Sequence, residues 1–175
     1  MKLSAIIIFF LTHSVVAQNA DTITINVKEE SYFDKKNIDE PKVEGYKLEF
    51  PLNNYFKKST PDGYYIVNYQ LGDVVAYSSE GLLTNGKFDG KWIVKNHLKE
   101  ITSSYEFQEN RFDGEQLIYK SNKLAYKITC KKNEIVYMEI FDENGDLLEI
   151  RLYANGILVN SEIKGLNPEF RINKQ

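Results

Sequence analysis

The chain has 175 residues, 27% of them charged, and a formal net charge of −3. This length suits one domain with its own hydrophobic core. A mildly acidic chain lacks the basic stripe that nucleic-acid phosphates require, so we expect no nucleic-acid partner.

The first predicted element is a secretory signal peptide over residues 1–17. Lys2 supplies a positive charge, and residues 3–11 form an apolar stretch that is shorter than the roughly 20 residues needed to span a bilayer. Small residues then precede a cleavage site predicted between Ala17 and Gln18. The expected product is periplasmic or secreted and has no transmembrane anchor. An uncleaved anchor is the alternative.

Residues 18–60 are interpreted as a lead-in segment with an early strand over 21–27, and residues 164–175 as a tail. Between them, residues 61–163 are rich in Val, Ile, Tyr, Thr and Phe, which favour strands. The predicted strands cover 64–69, 73–78, 90–95, 99–107, 115–120, 123–131, 134–141, 147–153 and 157–163. No segment combines helical periodicity with caps at both ends. The predicted fold class is therefore all-β, an antiparallel meander of β-hairpins.

Asn-Gly dipeptides predict type I′ hairpin turns because both residues accept positive φ. They occur at 85–86, 144–145 and 155–156. Asp89-Gly90 follows the first of them too closely to form a second hairpin tip. Gly90 and Gly114 are instead predicted to open strands and to let a neighbouring group approach closely.

A short block occurs twice in the chain. Phe88-Asp89-Gly90 returns as Phe112-Asp113-Gly114, 24 residues later, and a fainter copy ends at Gly63. Recurrence at this period indicates a small supersecondary unit, and stacking several such units would bury apolar faces that one hairpin cannot bury alone.

The string from Asn85 to Ile93 resembles the bacterial variant of the MORN repeat, in which Asn-Gly is followed by Asp-Gly-x-Trp and a tyrosine-rich strand. The second copy departs from it: Asn110-Arg111 stands where Asn-Gly is expected, and Gln116 replaces the tryptophan. The resemblance covers about residues 61–160. It implies a meandering sheet of hairpins and a scaffolding, protein-interaction or membrane-associated role. Some bacterial members carry an antitoxin label, and the family has no general catalytic residues.

Acid–base and metal chemistry have few candidate residues. His13 would leave with the signal peptide, so only His97 and Cys130 remain, and one of each does not make a zinc site. Cys130 lies in an alternating stretch that predicts a buried strand thiol, with no internal disulfide. In residues 142–146 the glycine comes too early for a calcium loop, so a polar hairpin turn is favoured. No cofactor is predicted.

A hydrolase that uses two carboxylates cannot be judged by counting histidines. Asp62, Asp89 and Asp113 recur at equivalent positions, and this repetition favours a role in turns over a catalytic pair. A carboxylate-based glycan hydrolase is kept as an alternative, although the chain is predicted not to be an enzyme.

Aromatic residues are the strongest functional signal. The candidate interaction face comprises Tyr64, Tyr65, Trp92, Tyr105, Tyr119, Tyr126 and Tyr137. Core packing of the same residues is the alternative. Tyr64 and Tyr65 are adjacent on a strand, so their side chains point to opposite faces.

The function predicted from these observations is a non-catalytic, exported interaction module that binds another protein, a glycan or an envelope component through an aromatic sheet face. An exposed edge strand would also allow a homo-oligomer. An antitoxin role is the second alternative, and it depends on the family label alone.

Overall fold

The computed structural model describes residues 22–28, 40–43, 45–52, 56 and 60–164. The predicted signal peptide and residues 165–175 lie outside the described residues. The described secondary structure consists of strands, which confirms the all-β prediction. The strands are β1 (Thr22–Lys28), β2 (Lys42–Val43), β3 (Tyr46–Lys47), β4 (Gly63–Leu71), β5 (Val74–Thr84), β6 (Lys87–Asn96), β7 (Ile101–Gln108), β8 (Arg111–Phe112), β9 (Gly114–Lys120), β10 (Lys123–Lys131), β11 (Glu134–Phe141), β12 (Leu147–Ala154) and β13 (Ile157–Ile163).

Eleven of these strands form one sheet in the order β1-β4-β5-β6-β7-β9-β10-β11-β12-β13, with β8 beside β7. From β4 to β13 every pairing is antiparallel, as the meander prediction requires. The sequence predicts no pairing for the early strand of the lead-in segment, and β1 pairs parallel to β4 with Thr22 opposite Tyr64. Parallel neighbours need a long crossover connection, and residues 29–62 supply it.

Part of that crossover covers one face of the sheet. We call residues 40–43, 45–52 and 56 the strap, and the sheet face beneath it the core face. Leu48, Phe50, Leu52 and Phe56 of the strap are buried in the same hydrophobic cluster as the sheet residues. The ring of Phe50 lies 4.9 Å from that of Phe107 and 5.0 Å from that of Phe88. The core therefore lies between two layers, the large sheet and a strap that contains only the short antiparallel pair β2-β3 as regular structure within its described residues.

Side chains alternate between the core face and the opposite, outer face. On β4, Tyr65 and Val67 are buried, whereas Tyr64 and Ile66 are only partly buried on the outer face. The same period of two places Phe88, Trp92 and Val94 of β6 on the core face.

The hairpins repeat more regularly than the sequence does. Besides the turn at 121–122, which joins β9 to β10, two-residue turns with positive φ at both positions lie at 85–86, 109–110, 132–133 and 155–156, spaced by 24, 23 and 23 residues. Each turn is flanked by an equivalent pair of opposed residues: Leu83 and Phe88, Phe107 and Phe112, Cys130 and Ile135, Tyr153 and Leu158. These are type I′ turns. The pattern defines four structural repeats.

Asn110 occupies the position of Gly86 in the second repeat, so the expected equivalence of Asn110-Arg111 with Asn-Gly is wrong by one residue. Asparagine adopts the left-handed conformation more readily than other non-glycine residues, and it replaces glycine here. The predicted type I′ turn at 144–145 is also wrong. A five-residue connection, 142–146, links β11 and β12, with the Asp142 carboxylate accepting hydrogen bonds from the Asn144 and Asp146 amides.

The glycines divide into two kinds. Gly114 opens β9 as predicted, but Gly90 lies inside β6 with φ of +63°, and a Cβ added there would meet no atom within 4 Å. Gly90 is thus required for its backbone angle and not for close approach. Close approach occurs at Gly114, as predicted, where an added Cβ would meet the Glu106 side chain, and also at Gly81, where it would collide with the indole ring of Trp92.

Candidate functional site

Three of the seven predicted interaction residues belong to the core, which corrects their assignment to a binding face. Tyr65, Trp92 and Tyr105 are almost fully buried under the strap. Their polar atoms donate to backbone carbonyls: Tyr65 Oη to Pro61 O at 2.8 Å, Trp92 Nε1 to Leu82 O at 2.9 Å and Tyr105 Oη to Glu49 O at 2.9 Å. Buried aromatic residues with satisfied polar atoms are typical of a core.

Tyr126 also faces the core side, half-buried, with its ring 5.2 Å from that of Tyr46 and the Lys120 ammonium 5.7 Å from its centre. Tyr64, Tyr119 and Tyr137 lie on the outer face, but on β4, β9 and β11, which are not neighbours. The Tyr137 hydroxyl donates to Glu139 Oε1 at 2.6 Å, and this bond raises the pKa of Tyr137 to about 12. The predicted residues do not form one surface.

An aromatic ladder does exist, and it is internal. Phe88 and Phe112, which open the two copies of the sequence block, pack with Phe107 at ring distances of 5.4 and 4.7 Å. Phe88 also meets Trp92 edge-on at 5.1 Å. The recurring phenylalanine of the block is the sequence signal for this ladder.

The outer face mixes apolar and charged side chains. One row of directly opposed residues crosses the sheet: Ile66, Glu80, Ile93, Ser104, Leu117, Lys127, Glu139, Ile150 and Glu162. Ion pairs cross it between Lys95 and Glu80 and between Lys127 and Glu115. This face carries apolar residues singly between charges, as an ordinary solvent-facing sheet does.

The uncovered end of the sheet is different. All seven residues of β13 are exposed, and β13 pairs with β12 alone within the described residues. Large exposed hydrophobic residues concentrate in this last hairpin: Leu148, Leu152, Ile157, Leu158, Val159 and Ile163. We call β13 with its side chains Ile157, Leu158, Val159 and Ile163 the C-terminal edge.

The opposite edge strand, β1, has the reverse character. Its exposed side chains are Thr22, Thr24 and Asn26, whereas Ile23, Ile25 and Val27 pack into or against the core. Edge strands of soluble proteins normally carry charges, proline or short length to prevent pairing with another chain. The C-terminal edge instead has four large apolar residues in a seven-residue strand, which makes it the candidate functional site.

Comparison of equivalent positions in the four repeats shows which contacts the C-terminal edge lacks. At equivalent positions, Phe88, Phe112 and Ile135 are 1%, 0% and 2% exposed, but Leu158 is 41% exposed. The Phe88 amide donates to Asn110 Oδ1 at 2.6 Å and the Phe112 amide to Asn133 Oδ1 at 2.7 Å. In return, the backbone amides of Asn110 and Asn133 donate to the backbone carbonyls of Phe88 and Phe112, respectively. Each asparagine therefore links a repeat to the one before it, and no later repeat follows Leu158 in the described chain.

The residues considered for acid–base, thiol or metal chemistry lie at separate places in the structure. Cys130 is buried, as predicted, and burial raises its pKa to about 12, which keeps the thiol protonated. His97 is exposed in the turn between β6 and β7, as predicted. The pKa values of Glu100, Asp142 and Glu149 are all lowered, chiefly by hydrogen bonds from Asn96, the Asp146 amide and Arg151. A general acid would need the opposite shift.

In the described ranges, His, Cys, Asp and Glu side chains form no group of three that could hold a metal ion. The same ranges contain no helix with the length and apolarity of a membrane span.

Comparison with known proteins returned no relative: no family model, curated protein or solved structure matches the chain. The likeness to the bacterial MORN variant thus depends on residues 85–93 and their weaker copies. The C-terminal edge is the feature of the described structure that most clearly points to a binding role.

Proposed function

We propose that this chain is a non-catalytic, exported protein-interaction module whose binding element is the C-terminal edge. The single observation that carries the proposal is the burial series along the repeat. Three equivalent positions, in the repeats that have a following repeat beside them, are buried, whereas Leu158 and its neighbours on β13 are exposed. A strand from a partner protein would pair with β13 and continue the sheet where the repeats end.

The chemistry of the edge favours a protein over a glycan. An unpaired strand presents backbone N–H and C=O groups that another extended chain can satisfy, and its apolar side chains select that chain. Glycan binding through stacking would need several exposed aromatic rings on one surface, but Tyr65, Trp92 and Tyr105 lie in the core. The outer-face tyrosines Tyr64, Tyr119 and Tyr137 lie on strands that are not neighbours. The aromatic interaction face is therefore replaced in this proposal by an aliphatic strand.

Export is the second part of the proposal, and the pattern of residues 1–17 supports it. Cell fractionation followed by N-terminal sequencing tests it directly. A mature chain that begins at Gln18 in the periplasm or the medium is the expected result. A cytoplasmic chain that retains Met1 would contradict it.

A pair of matched variants tests the binding element. Val159 on β13 and Val74 at the start of β5 are 60% and 64% exposed, so Val159→Lys and Val74→Lys make the same change at similarly exposed sites. Tagged full-length wild type and both variants are used to capture proteins from the native envelope fraction. We expect a protein retained by wild type and Val74→Lys and lost from Val159→Lys. Equal capture by all three would contradict the proposal.

The antitoxin alternative still depends on the family label, and the hydrolase alternative gains no support from carboxyl groups whose pKa values are lowered.

A further inference from the structure

We infer that the strand covering the C-terminal edge is β13 of a second copy of this chain, related by a two-fold axis perpendicular to the sheet. This inference rests on the proposed function, because both use the open side of β13. It adds the identity of the partner and the direction and register of the pairing.

The direction follows from the repeat. The strand that follows each earlier repeat turn, directly or after the short β8, receives an antiparallel neighbour on the side away from that turn's other strand: β7 beside β6, β10 beside β9, and β12 beside β11. The strand that continues the array beyond β13 is therefore antiparallel to it. A two-fold axis normal to the sheet makes β13 antiparallel to its own copy and keeps both core faces on the same side.

Symmetry also favours β13 over β1 as the partner. Pairing β13 of one copy with β1 of another would be head-to-tail and would leave free edges for further copies, whereas a two-fold contact closes after two. On β1 the apolar Ile23 and Ile25 are already partly buried against the core, and the exposed Thr22, Thr24 and Asn26 are polar. This edge therefore offers less apolar surface to match Val159 and Ile163.

The side chains of β13 are self-complementary when the axis passes through Ser161. Val159 then lies opposite Ile163 of the second copy, and Asn160 lies opposite Glu162. No two like charges face each other directly, because Glu162 is the only charged residue of β13 and lies opposite Asn160 in this register. Opposed residues on adjacent antiparallel strands contribute to sheet stability through such pairs.

The small size of the contact predicts a weak dimer. A seven-residue strand pairing lies at the small end of specific interfaces, below about 1,200 Å² of total buried area. The dimer is therefore in exchange with the monomer, and its population rises with protein concentration.

Sedimentation equilibrium of the purified exported chain tests the contact with the same matched variants. Wild type and Val74→Lys are expected to show the same concentration-dependent dimer. Val159→Lys places a cation against Ile163 of the second copy, and its dimer should be at least tenfold weaker. A wild type that stays monomeric at every concentration, or a dimer of unchanged affinity in Val159→Lys, would overturn the inference.

A cross-link tests the register. Ser161→Cys brings two thiols face to face at the axis, within the Cα separation of about 4.4–6.8 Å that a disulfide needs. Mild oxidation should give a covalent dimer, with buried Cys130 unreactive. Thr24→Cys on β1 is the control and should stay monomeric. Cross-linking of Thr24→Cys in place of Ser161→Cys would refute the two-fold pairing.

The proposed interaction module and the inferred dimer can be refuted independently of each other. A monomeric wild type whose captured protein is lost in Val159→Lys refutes the second copy and leaves the interaction module standing. A dimer that is weakened by Val159→Lys, with capture unchanged, supports the second copy and refutes capture of another protein at this edge.

Discussion

The first three repeats and the last repeat share their turn geometry and register but not their burial. Leu83 and Phe88 flank the first turn and are enclosed, whereas Leu158 beside the last turn is open to solvent. The difference lies in the neighbours of each hairpin and not in its own conformation. A repeat is stabilised by what stacks on it, and the terminal repeat lacks that contribution.

Two local features reinforce the contrast. The strap places Phe50 and Phe56 over the aromatic ladder, with Phe56 5.6 Å from Phe88. The asparagine links of the second and third turns have no counterpart at the fourth, where Gly156 carries no side-chain amide. Both features stabilise the first three repeats, which lie away from the C-terminal edge.

The largest expected difference in the free energy of unfolding is between side-chain truncations at equivalent positions of a buried repeat and of the last repeat. Phe112→Ala removes a fully buried ring and should cost about 3–5 kcal/mol of the free energy of unfolding. Leu158→Ala should cost under about 1 kcal/mol, because Leu158 is already partly in water. Urea unfolding at a concentration that keeps the chain monomeric measures both.

If Phe112→Ala does not fold, Ile135→Val provides a milder comparison, with an expected loss of about 0.5–1.5 kcal/mol. Equal losses at Leu158 and at the buried positions would show that the last repeat is covered within the monomer.

Gly81→Ala should cost about 1–3 kcal/mol through overpacking, because the new methyl group would collide with the rigid indole of Trp92. Urea unfolding in a double-mutant cycle identifies the cause. In a Trp92→Leu background the alanine should cost clearly less, since Leu can move away. Strict additivity of the two changes would contradict this account.

Alkaline pH should weaken the covered region. The pKa of Cys130 is raised from about 9 to about 12 by burial, so its protonated form is favoured by folding. This contribution is complete below pH 9 and is lost as pH rises from about 9 towards 12, by up to about 1.4 kcal/mol per pH unit.

The measurement is the free energy of unfolding against pH for wild type and Cys130→Ala. The variant should lose stability less steeply above pH 9, although Tyr105, whose pKa is also raised to about 12, contributes in both proteins. Identical slopes would refute the assignment to Cys130.

Asn110→Gly should have a small effect, a loss of about 1 kcal/mol. Glycine keeps the positive φ of the turn but removes the hydrogen bond to the Phe88 amide. Asn110→Ala should lose roughly 1 kcal/mol more, because alanine resists the left-handed conformation.

Thermal and urea unfolding measure these changes. Asn122→Gly is the matched control, because Asn122 has a similar φ but its side chain bonds the exposed Glu100. A loss at Asn122 as large as that at Asn110 would argue against a link between repeats.

Much of the strand pattern could be predicted from local sequence. The strands β10, β11 and β13 have the predicted bounds, because alternating side chains and turn residues act within about ten residues. The type I′ geometry of the turns at 109–110, 121–122 and 132–133 is not predicted, since none of these pairs contains glycine. The parallel pairing of β1 with β4 joins residues 42 positions apart, and no local pattern reports such a contact.

The candidate site was only partly predictable. An exposed edge strand is expected in general terms, but periodicity alone does not tell which face or edge another segment covers. The strap has the sequence of an irregular lead-in, so nothing local indicates that the tyrosines and Trp92 lie beneath it. Its covering of the sheet makes Tyr65, Trp92 and Tyr105 core residues.

The sequence by itself determined the all-β class, most strand positions, the turn at Asn155-Gly156 and the burial of Cys130, since each follows from local conformational preference and side-chain alternation. The face that the strap covers, the links that Asn110 and Asn133 make between successive repeats, and the lack of a second neighbour for β13 among the described strands follow from the folded arrangement. These outcomes depend on contacts between segments far apart in the chain, which no local preference encodes.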